Sequence, residues 1–174
     1  MTDSILPADV VDLARRVIEE NRAIGRTVAL AESCTGGLVA AALTEIPGSS
    51  SVLDRGFVTY SNEAKIETLG VAGDLIETFG AVSIACAWAM AKGALDASGA
   101  DVSVAVSGIA GPEGGSDLKP VGTVVFARAL RDDDSEPDGE LKTFDGGTRS
   151  AIRKQAALWA LELLLPVQAD AGEA

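Results

Sequence analysis

The sequence contains no histidine, and this absence excludes much of the commonest catalytic and metal-binding chemistry. Without an imidazole the chain can form neither a Ser-His-Asp triad nor a Cys-His pair, and no histidine can ligate zinc. The chain has only two cysteines, Cys34 and Cys86, which are too few for a Cys₄ zinc site or a disulfide framework. We therefore expect the protein to reside in a reducing cytoplasm.

Basic residues are also scarce. Lysine and arginine together number 14, against 26 aspartate and glutamate residues, so the net charge is −12. Without a basic surface, direct binding to nucleic acid is not expected. No apolar stretch approaches the roughly 20 residues of a membrane span, and the N-terminal MTDSILPADV has no apolar signal core. We expect neither a membrane association nor secretion.

The length of 174 residues and the hydrophobic fraction of 47% fit one globular domain, which we expect over residues 1–166. The segment after Pro166, VQADAGEA, is predicted to be a disordered tail. Residues 132–140, DDDSEPDGE, hold six of the acidic residues and are predicted to form a solvated loop between two strands.

Helical and strand-like hydrophobic periods alternate along the rest of the chain. Helices are predicted over residues 7–22, 36–43, 62–69, 83–97 and 148–165. Strands are predicted over residues 27–32, 57–60, 101–107, 122–129 and 141–144. No helix separates the last two strands, so they should form an antiparallel pair. The predicted fold is an α/β protein, a three-layer α/β/α sandwich with a mixed, mostly parallel sheet of about five strands.

The first candidate site is AESCTGG, residues 31–37, at a strand-to-helix junction. Ligands bind beyond the carboxyl ends of strands in such folds, and the amides of a helix start favour an anion. A hydroxyl of Ser33 or Thr35 could attack a carbonyl carbon, or could simply cap the helix. Cys34 could be a second nucleophile or a small core residue. This segment leaves those alternatives open.

The second candidate site is YSNEAK, residues 60–65, at another strand-to-helix junction. The side chains of Tyr60 and Lys65 could reach the same cleft, where a neutral lysine can act as the base for a serine nucleophile. Lowering the lysine pKa from about 10.4 to about 7–8 costs roughly 4 kcal/mol and requires burial. The alternative is a solvated lysine beside a half-buried tyrosine.

The third candidate site is the glycine-rich segment of residues 107–122, SGIAGPEGGSDLKPVG, which follows a strongly alternating strand. Its amides could surround a phosphate, with Lys119 as the counter-charge, or the segment could be a mobile loop. It contains neither a GxxxxGK[ST] nor a GxGxxG pattern, so a Walker A loop and a dinucleotide fingerprint are excluded.

Four segments, taken in their order along the chain, resemble the C-terminal domain of the CinA family of competence/damage-inducible proteins. They are AESCTGG, VTYSNEAK, GAVS at residues 80–83 and SGIAGPEGGSDLKPVGTV. The resemblance covers residues 10–165. It implies a three-layer α/β/α fold and hydrolysis of nicotinamide mononucleotide to nicotinic acid mononucleotide and ammonia. It also implies a stand-alone form, without the molybdopterin-binding-like domain that precedes this domain in longer members. Ser107 stands where the family often has threonine.

By this resemblance the catalytic residues are Ser33, Tyr60 and Lys65. Ser33 would attack the carboxamide, Lys65 would take its proton directly or through Tyr60, and amides of the SCTGG turn would hold the oxyanion. No metal and no cofactor is expected. The residues expected to bind the small-molecule nucleotide are Thr35, Gly36, Gly37, Ser107, Gly108, Gly111, Gly114, Gly115, Lys119 and Arg149.

Two other functions stay open at this point. The same loops could bind a nucleotide without turnover, or the chain could be a structural subunit of a competence or recombination complex. The alanine-rich helices over residues 36–43 and 83–97 could cover the sheet or pack on a second copy in a homo-oligomer.

Overall fold

The computed structural model describes residues 4–167, in which helices and strands alternate along most of the chain. The helices are α1 (Ala8–Ala23), α2 (Leu38–Thr44), α3 (Asn62–Leu69), α4 (Gly73–Phe79), α5 (Ile84–Asp96) and α6 (Arg149–Leu163). The strands are β1 (Val28–Glu32), β2 (Leu53–Val58), β3 (Val102–Gly108), β4 (Thr123–Leu130) and β5 (Asp138–Thr143). A short 3₁₀ turn, Ser49–Ser51, precedes β2.

The five strands form one sheet in the order β2-β1-β3-β4-β5. Strand β1 is parallel to both β2 and β3, whereas β4 is antiparallel to β3 and to β5. Four strands therefore point the same way and β4 alone is reversed, which confirms the predicted mixed, mostly parallel sheet. The register pairs Glu32 with Val58 and with Val106, so β1, β2 and β3 end at the same edge of the sheet.

Helices cover both faces of the sheet, as the three-layer prediction requires. Helices α1, α2 and α6 pack on one face, where Val104 and Phe126 belong to the core. Helices α3, α4 and α5 pack on the other face, where Ala105 and Val125 belong to a second core. Neighbouring residues of β3 and β4 thus alternate between the two cores, because successive side chains of a strand point to opposite faces.

The structure differs from the predicted elements at the sheet edges. Strand β2 begins at Leu53 rather than at residue 57. The prediction missed its first half because those residues are mostly exposed and polar and form no apolar run. Strand β5 begins at Asp138, inside the acidic segment that was predicted to be entirely loop; Asp138 forms an ion pair with Arg128 at 2.6 Å. Helix α4 was not predicted, since only Ile76 of its seven residues is buried.

Two further predictions concern the ends of the chain and the membrane. The predicted disordered tail lies, from residue 168 onward, outside the described residues. Between residues 4 and 167, every helix is too short or too polar to cross a bilayer.

Candidate active site

Ser33 lies at the carboxyl edge of the sheet, one residue beyond β1. Its amide donates to the carbonyl oxygen of Val106 at 2.9 Å, which continues the pairing with β3. On the other side of β1, the amide of Thr59 donates to the carbonyl oxygen of Glu32 at 2.9 Å. Sheet hydrogen bonds therefore hold the segments that carry Ser33 and Thr59 side by side.

Lys65 reaches this edge from the first turn of α3. The side chain of Ser61 caps that helix by accepting from the Ala64 amide at 3.0 Å. The Lys65 side chain is only 1% exposed. Its Nζ lies 2.9 Å from Ser33 Oγ, 2.7 Å from the carbonyl oxygen of Thr59 and 3.1 Å from the carbonyl oxygen of Tyr60. The solvated-lysine alternative is thereby excluded, and Ser33 and Lys65 form a hydrogen-bonded pair.

These three contacts satisfy either protonation state of Lys65. The ammonium would donate to all three oxygens, whereas the neutral amine would donate to the two carbonyls and accept the Ser33 hydroxyl proton on its lone pair. Burial lowers the pKa of Lys65 below its usual 10.5, because removal from water penalises the charged form; nearby Cys86 and Cys34 act in the opposite direction. No described carboxylate forms an ion pair with Lys65. The arrangement can therefore supply a neutral amine that faces a hydroxyl.

Both glycines of the turn after Ser33 have a positive φ, +60° at Gly36 and +96° at Gly37. The Gly36 amide donates to the carbonyl oxygen of Ser33 at 3.0 Å, and the Gly37 amide donates to the Glu32 carboxylate at 3.1 Å. Both amides therefore already have acceptors inside the protein, and contact of Gly36 and Gly37 with the substrate stays a prediction. Within residues 4–167, the amides of Cys34 and Thr35 donate to no other residue.

The Glu32 carboxylate is buried and occupied by the start of α2. It accepts from the amides of Gly37, Val39 and Ala40 at 3.1, 3.1 and 2.9 Å. Gly37 has no side chain with which to cap α2, so this carboxylate satisfies amides that a helix start would otherwise leave unpaired. Glu32 is thus a structural cap and not a free base for Ser33.

Arg153 of α6 holds the same turn from the outside. Its Nε donates to the carbonyl oxygen of Cys34 at 3.1 Å, and its Nη2 donates to that of Thr35 at 2.9 Å. The sequence analysis missed Arg153, because it lies 119 residues from Cys34 and no local motif marks it.

A cleft of about 240 Å³ lies next to the Ser33–Lys65 pair: its lining includes Cys34, which follows Ser33, and Tyr60, whose carbonyl oxygen accepts from Lys65. Arg149 crosses this cleft: its Nη1 donates to the carbonyl oxygen of Gly111 at 2.7 Å and its Nη2 to Tyr60 Oη at 2.9 Å. The residues that line the cleft are Cys34, Tyr60, Gly108, Ile109, Ala110, Gly111, Glu113, Gly114 and Arg149. The structure therefore brings Tyr60, Arg149 and three predicted glycines together, and it adds Glu113, which the sequence analysis did not select.

Other predicted binding residues lie outside this lining. The Ser107 hydroxyl donates to the carbonyl oxygen of Ala81 at 2.8 Å, and Lys119 Nζ donates to that of Phe79 at 2.9 Å. Gly115 is exposed beyond the cleft, and Thr35 is fully buried, with no hydrogen-bond partner for its hydroxyl among the described residues. Substrate binding by these four residues stays a prediction.

The Cys34 thiol lines the cleft but is almost completely buried. Burial raises its pKa to about 11, so the thiol is protonated at neutral pH and is a poor nucleophile. Cys86 is also buried and free. Among the described residues, no three Asp, Glu or Cys side chains cluster in a way that could hold a metal ion.

Comparisons with known proteins identify relatives of this chain. The chain is 53% identical over 147 residues to the nicotinamide-nucleotide amidohydrolase PncC of Enterobacter agglomerans, covering 83% of this chain and 86% of the relative. It is 48% identical over 164 residues to the protein of the same name from Escherichia coli strain K12, covering 94% and 95%. The solved structure of the competence/damage inducible protein CihA from Agrobacterium tumefaciens matches at a TM-score of 0.88 and 50% identity, covering 92% of this chain and 96% of that one.

A family model supplies the last comparison. The model described as the CinA C-terminal domain matches residues 10–167, nearly the whole chain. The resemblance that was drawn from the motifs is therefore confirmed, and the chain belongs to the CinA C-terminal domain family.

Proposed function

We propose that this protein is an amidohydrolase that converts nicotinamide mononucleotide to nicotinic acid mononucleotide and ammonia. The observation that carries the proposal is the 2.9 Å hydrogen bond between Lys65 Nζ and Ser33 Oγ in a position closed to solvent. A sensor or a scaffold needs no buried amine facing a hydroxyl, whereas acyl transfer by serine needs a base at that distance. The relatives named nicotinamide-nucleotide amidohydrolase support the choice of substrate.

In the first step, Ser33 Oγ attacks the carboxamide carbon while its proton passes to neutral Lys65. The developing oxyanion is held by the amides of Cys34 and Thr35, which follow the nucleophile and have no other acceptor among the described residues. As the carbon–nitrogen bond breaks, the Lys65 ammonium returns the proton to the leaving nitrogen, which departs as ammonia. An ester of Ser33 remains.

The second step repeats the proton transfers with water. Lys65, neutral again, takes a proton from the water that attacks the ester, and it then protonates Ser33 Oγ as the bond to the acyl carbon breaks. The carbonyl oxygens of Thr59 and Tyr60 hold two Lys65 hydrogens throughout and direct its remaining position toward Ser33. Tyr60 therefore contributes through its backbone, while its side chain lines the cleft.

Arg149 is proposed to bind the 5′-phosphate. Two of its N–H groups hold Tyr60 and Gly111, which fixes the guanidinium across the cleft and leaves other N–H groups for phosphate oxygens. A positive group at this position offsets the repulsion between a protein of net charge −12 and an anionic substrate. The glycines of the cleft allow close approach of the ligand to the main chain.

We further propose that the protein acts in the cytoplasm as a single domain over residues 1–166, with a small molecule as its partner and no nucleic acid. Both cysteines are free, which fits a reducing compartment. A homo-oligomer stays a prediction.

The test is ammonia release from nicotinamide mononucleotide by the purified protein, with nicotinic acid mononucleotide identified by chromatography. We expect saturable turnover that a chelator does not reduce and that Ser33→Ala lowers by at least ~10²-fold. Binding without turnover would support a nucleotide sensor instead. The absence of both binding and turnover would support a structural subunit.

A further inference from the structure

The cleft carries one positive and one negative side chain, those of Arg149 and Glu113. Glu113 is exposed at the rim and forms no hydrogen bond or ion pair with any of residues 4–167. Arg149 does not neutralise it, because its two protein contacts go to Gly111 and Tyr60. The two charges are therefore both available to a ligand.

The loop places Glu113 close in the chain to Gly111, the residue whose carbonyl oxygen Arg149 binds. Gly111, whose carbonyl oxygen accepts from Arg149 at 2.7 Å, precedes Glu113 by two residues, so their Cα atoms are at most about 7 Å apart. The base of the loop is closed by hydrogen bonds from Ile109 to Thr123 and from Gly122 back to Ile109, at 2.9 and 2.8 Å. One ligand of mononucleotide size can thus contact the guanidinium and the carboxylate at once.

An unpaired carboxylate is unfavourable in a cleft that binds only an anion, because it repels the phosphate that Arg149 attracts. It becomes favourable when the ligand also carries a positive charge. A pyridinium mononucleotide is such a zwitterion, with a cationic ring on one side of the ribose and a phosphate on the other.

Resting on the function proposed above, we propose that Glu113 is a specificity-determining residue that recognises the positive charge of the pyridinium ring. Glu113 makes the cleft selective for zwitterionic pyridinium nucleotides over nucleotides with an uncharged ring. It touches none of the reacting atoms, so its removal acts on substrate binding rather than on the chemical step.

The experiment compares two ligands that differ in ring charge, nicotinamide mononucleotide and its reduced, dihydro form. Dissociation constants are measured by calorimetry in the Ser33→Ala background, so that binding is read without turnover. Glu113→Gln removes the charge from the cleft. Asp117→Asn is the matched control, because Asp117 is an exposed carboxylate of the same loop that does not line the cleft.

We expect Ser33→Ala to bind the oxidised nucleotide about fivefold more tightly than the reduced one, which is the upper end of the effect of an exposed charge pair. Glu113→Gln should reduce this preference to about twofold by weakening only the oxidised nucleotide, and Asp117→Asn should preserve it. In Ser33-containing protein, Glu113→Gln should raise KM while kcat stays within about twofold.

Three results would overturn the inference: a preference that survives Glu113→Gln, an equal loss with Asp117→Asn, or failure to bind either nucleotide. Ammonia release by the wild-type protein tests the proposed function separately. A preference that depends on Glu113 without turnover would support the inference and overturn the function. Turnover with a preference that does not depend on Glu113 would support the function and overturn the inference.

Discussion

Lys65→Met is the substitution that tests the Ser33–Lys65 pair most directly. Methionine nearly keeps the length and apolar volume of the buried lysine side chain and removes only the amine that contacts Ser33. Loss of a positioned general base lowers rates by about 10²–10⁴-fold. That range corresponds to about 3–5 kcal/mol of transition-state stabilisation, so we expect kcat/KM to fall by at least ~10²-fold.

The effect on stability should be smaller, because two contributions oppose each other. Removal of Nζ leaves the carbonyl oxygens of Thr59 and Tyr60 without this donor, at about 1 kcal/mol each. The same change removes an amine whose charged form is penalised by burial, which lowers its pKa. At neutral pH we therefore expect the free energy of unfolding to change by no more than about 2 kcal/mol.

The pH dependence of the wild-type protein follows from the lowered pKa of Lys65. The base is the neutral amine, so kcat/KM should rise with pH through one ionisation that lies below 10.5. Between the folded pKa and 10.5, the unfolded chain binds more protons than the folded one, so wild-type stability should also rise with pH. Lys65→Met should lose both increases.

The assay is kcat/KM for ammonia release over about pH 6–10, together with denaturant unfolding at both ends of that range. Lys92→Met is the control, because Lys92 is an exposed lysine of α5 with no hydrogen bond in the described structure. Ser33→Ala and the double variant should lose about as much activity as Lys65→Met, since the two residues act as one unit. Additive losses, or a Lys65→Met protein that keeps the wild-type ionisation, would refute the assignment.

Three further substitutions test the surroundings of the pair. Arg153→Met should lower kcat by about tenfold or more in a steady-state assay, because it removes the hydrogen bonds that hold the turn after Ser33. Lys154→Met, a substitution at the next residue, should retain activity in the same assay. Glu32→Gln should lower the free energy of unfolding by about 1–3 kcal/mol in urea titrations, since it replaces one of the two oxygens that accept from the first amides of α2 by an NH2 donor; an unchanged value would contradict that role. Cys34→Ala should keep turnover within about fivefold, and the wild-type thiol, with a pKa of about 11, should resist iodoacetamide at neutral pH; a loss as large as that of Ser33→Ala would make Cys34 the nucleophile.

The parts of the site that could be predicted from the sequence lie at strand-to-helix junctions. Helix α3 was predicted with the bounds that the structure shows, because Ser61 caps it and Gly70 ends it. A lysine one turn inside such a helix lies near the sheet edge. Its side chain can therefore contact a serine that lies just beyond the neighbouring strand. Local signals placed Ser33 and Lys65 at such junctions but left their roles open, and the choice of these two residues as catalytic came from the family resemblance.

The parts that could not be predicted depend on contacts between distant segments. Arg153 reaches the Cys34 carbonyl across 119 residues, and nothing in the residues around Arg153 indicates its partner. The hydrogen bond from the Gly37 amide to the Glu32 carboxylate depends on which face of β1 the Glu32 side chain lies on. Glu113 was passed over because its loop suggested backbone amides and Lys119 as the contacts of a phosphate, whereas its position in the cleft follows from the packing of that loop against Arg149.

Strand alternation explains how adjacent residues serve different purposes at the end of β1. Glu32 points to the layer of α2, where its carboxylate caps the helix that follows the nucleophile. Ser33 points to the opposite layer, where α3 supplies Lys65. The carboxylate is thereby directed away from the amine, which would otherwise be held protonated by an adjacent negative charge. In a chain without histidine, burial then lowers the pKa of the base, and the orientation of Glu32 keeps its carboxylate from counteracting that shift.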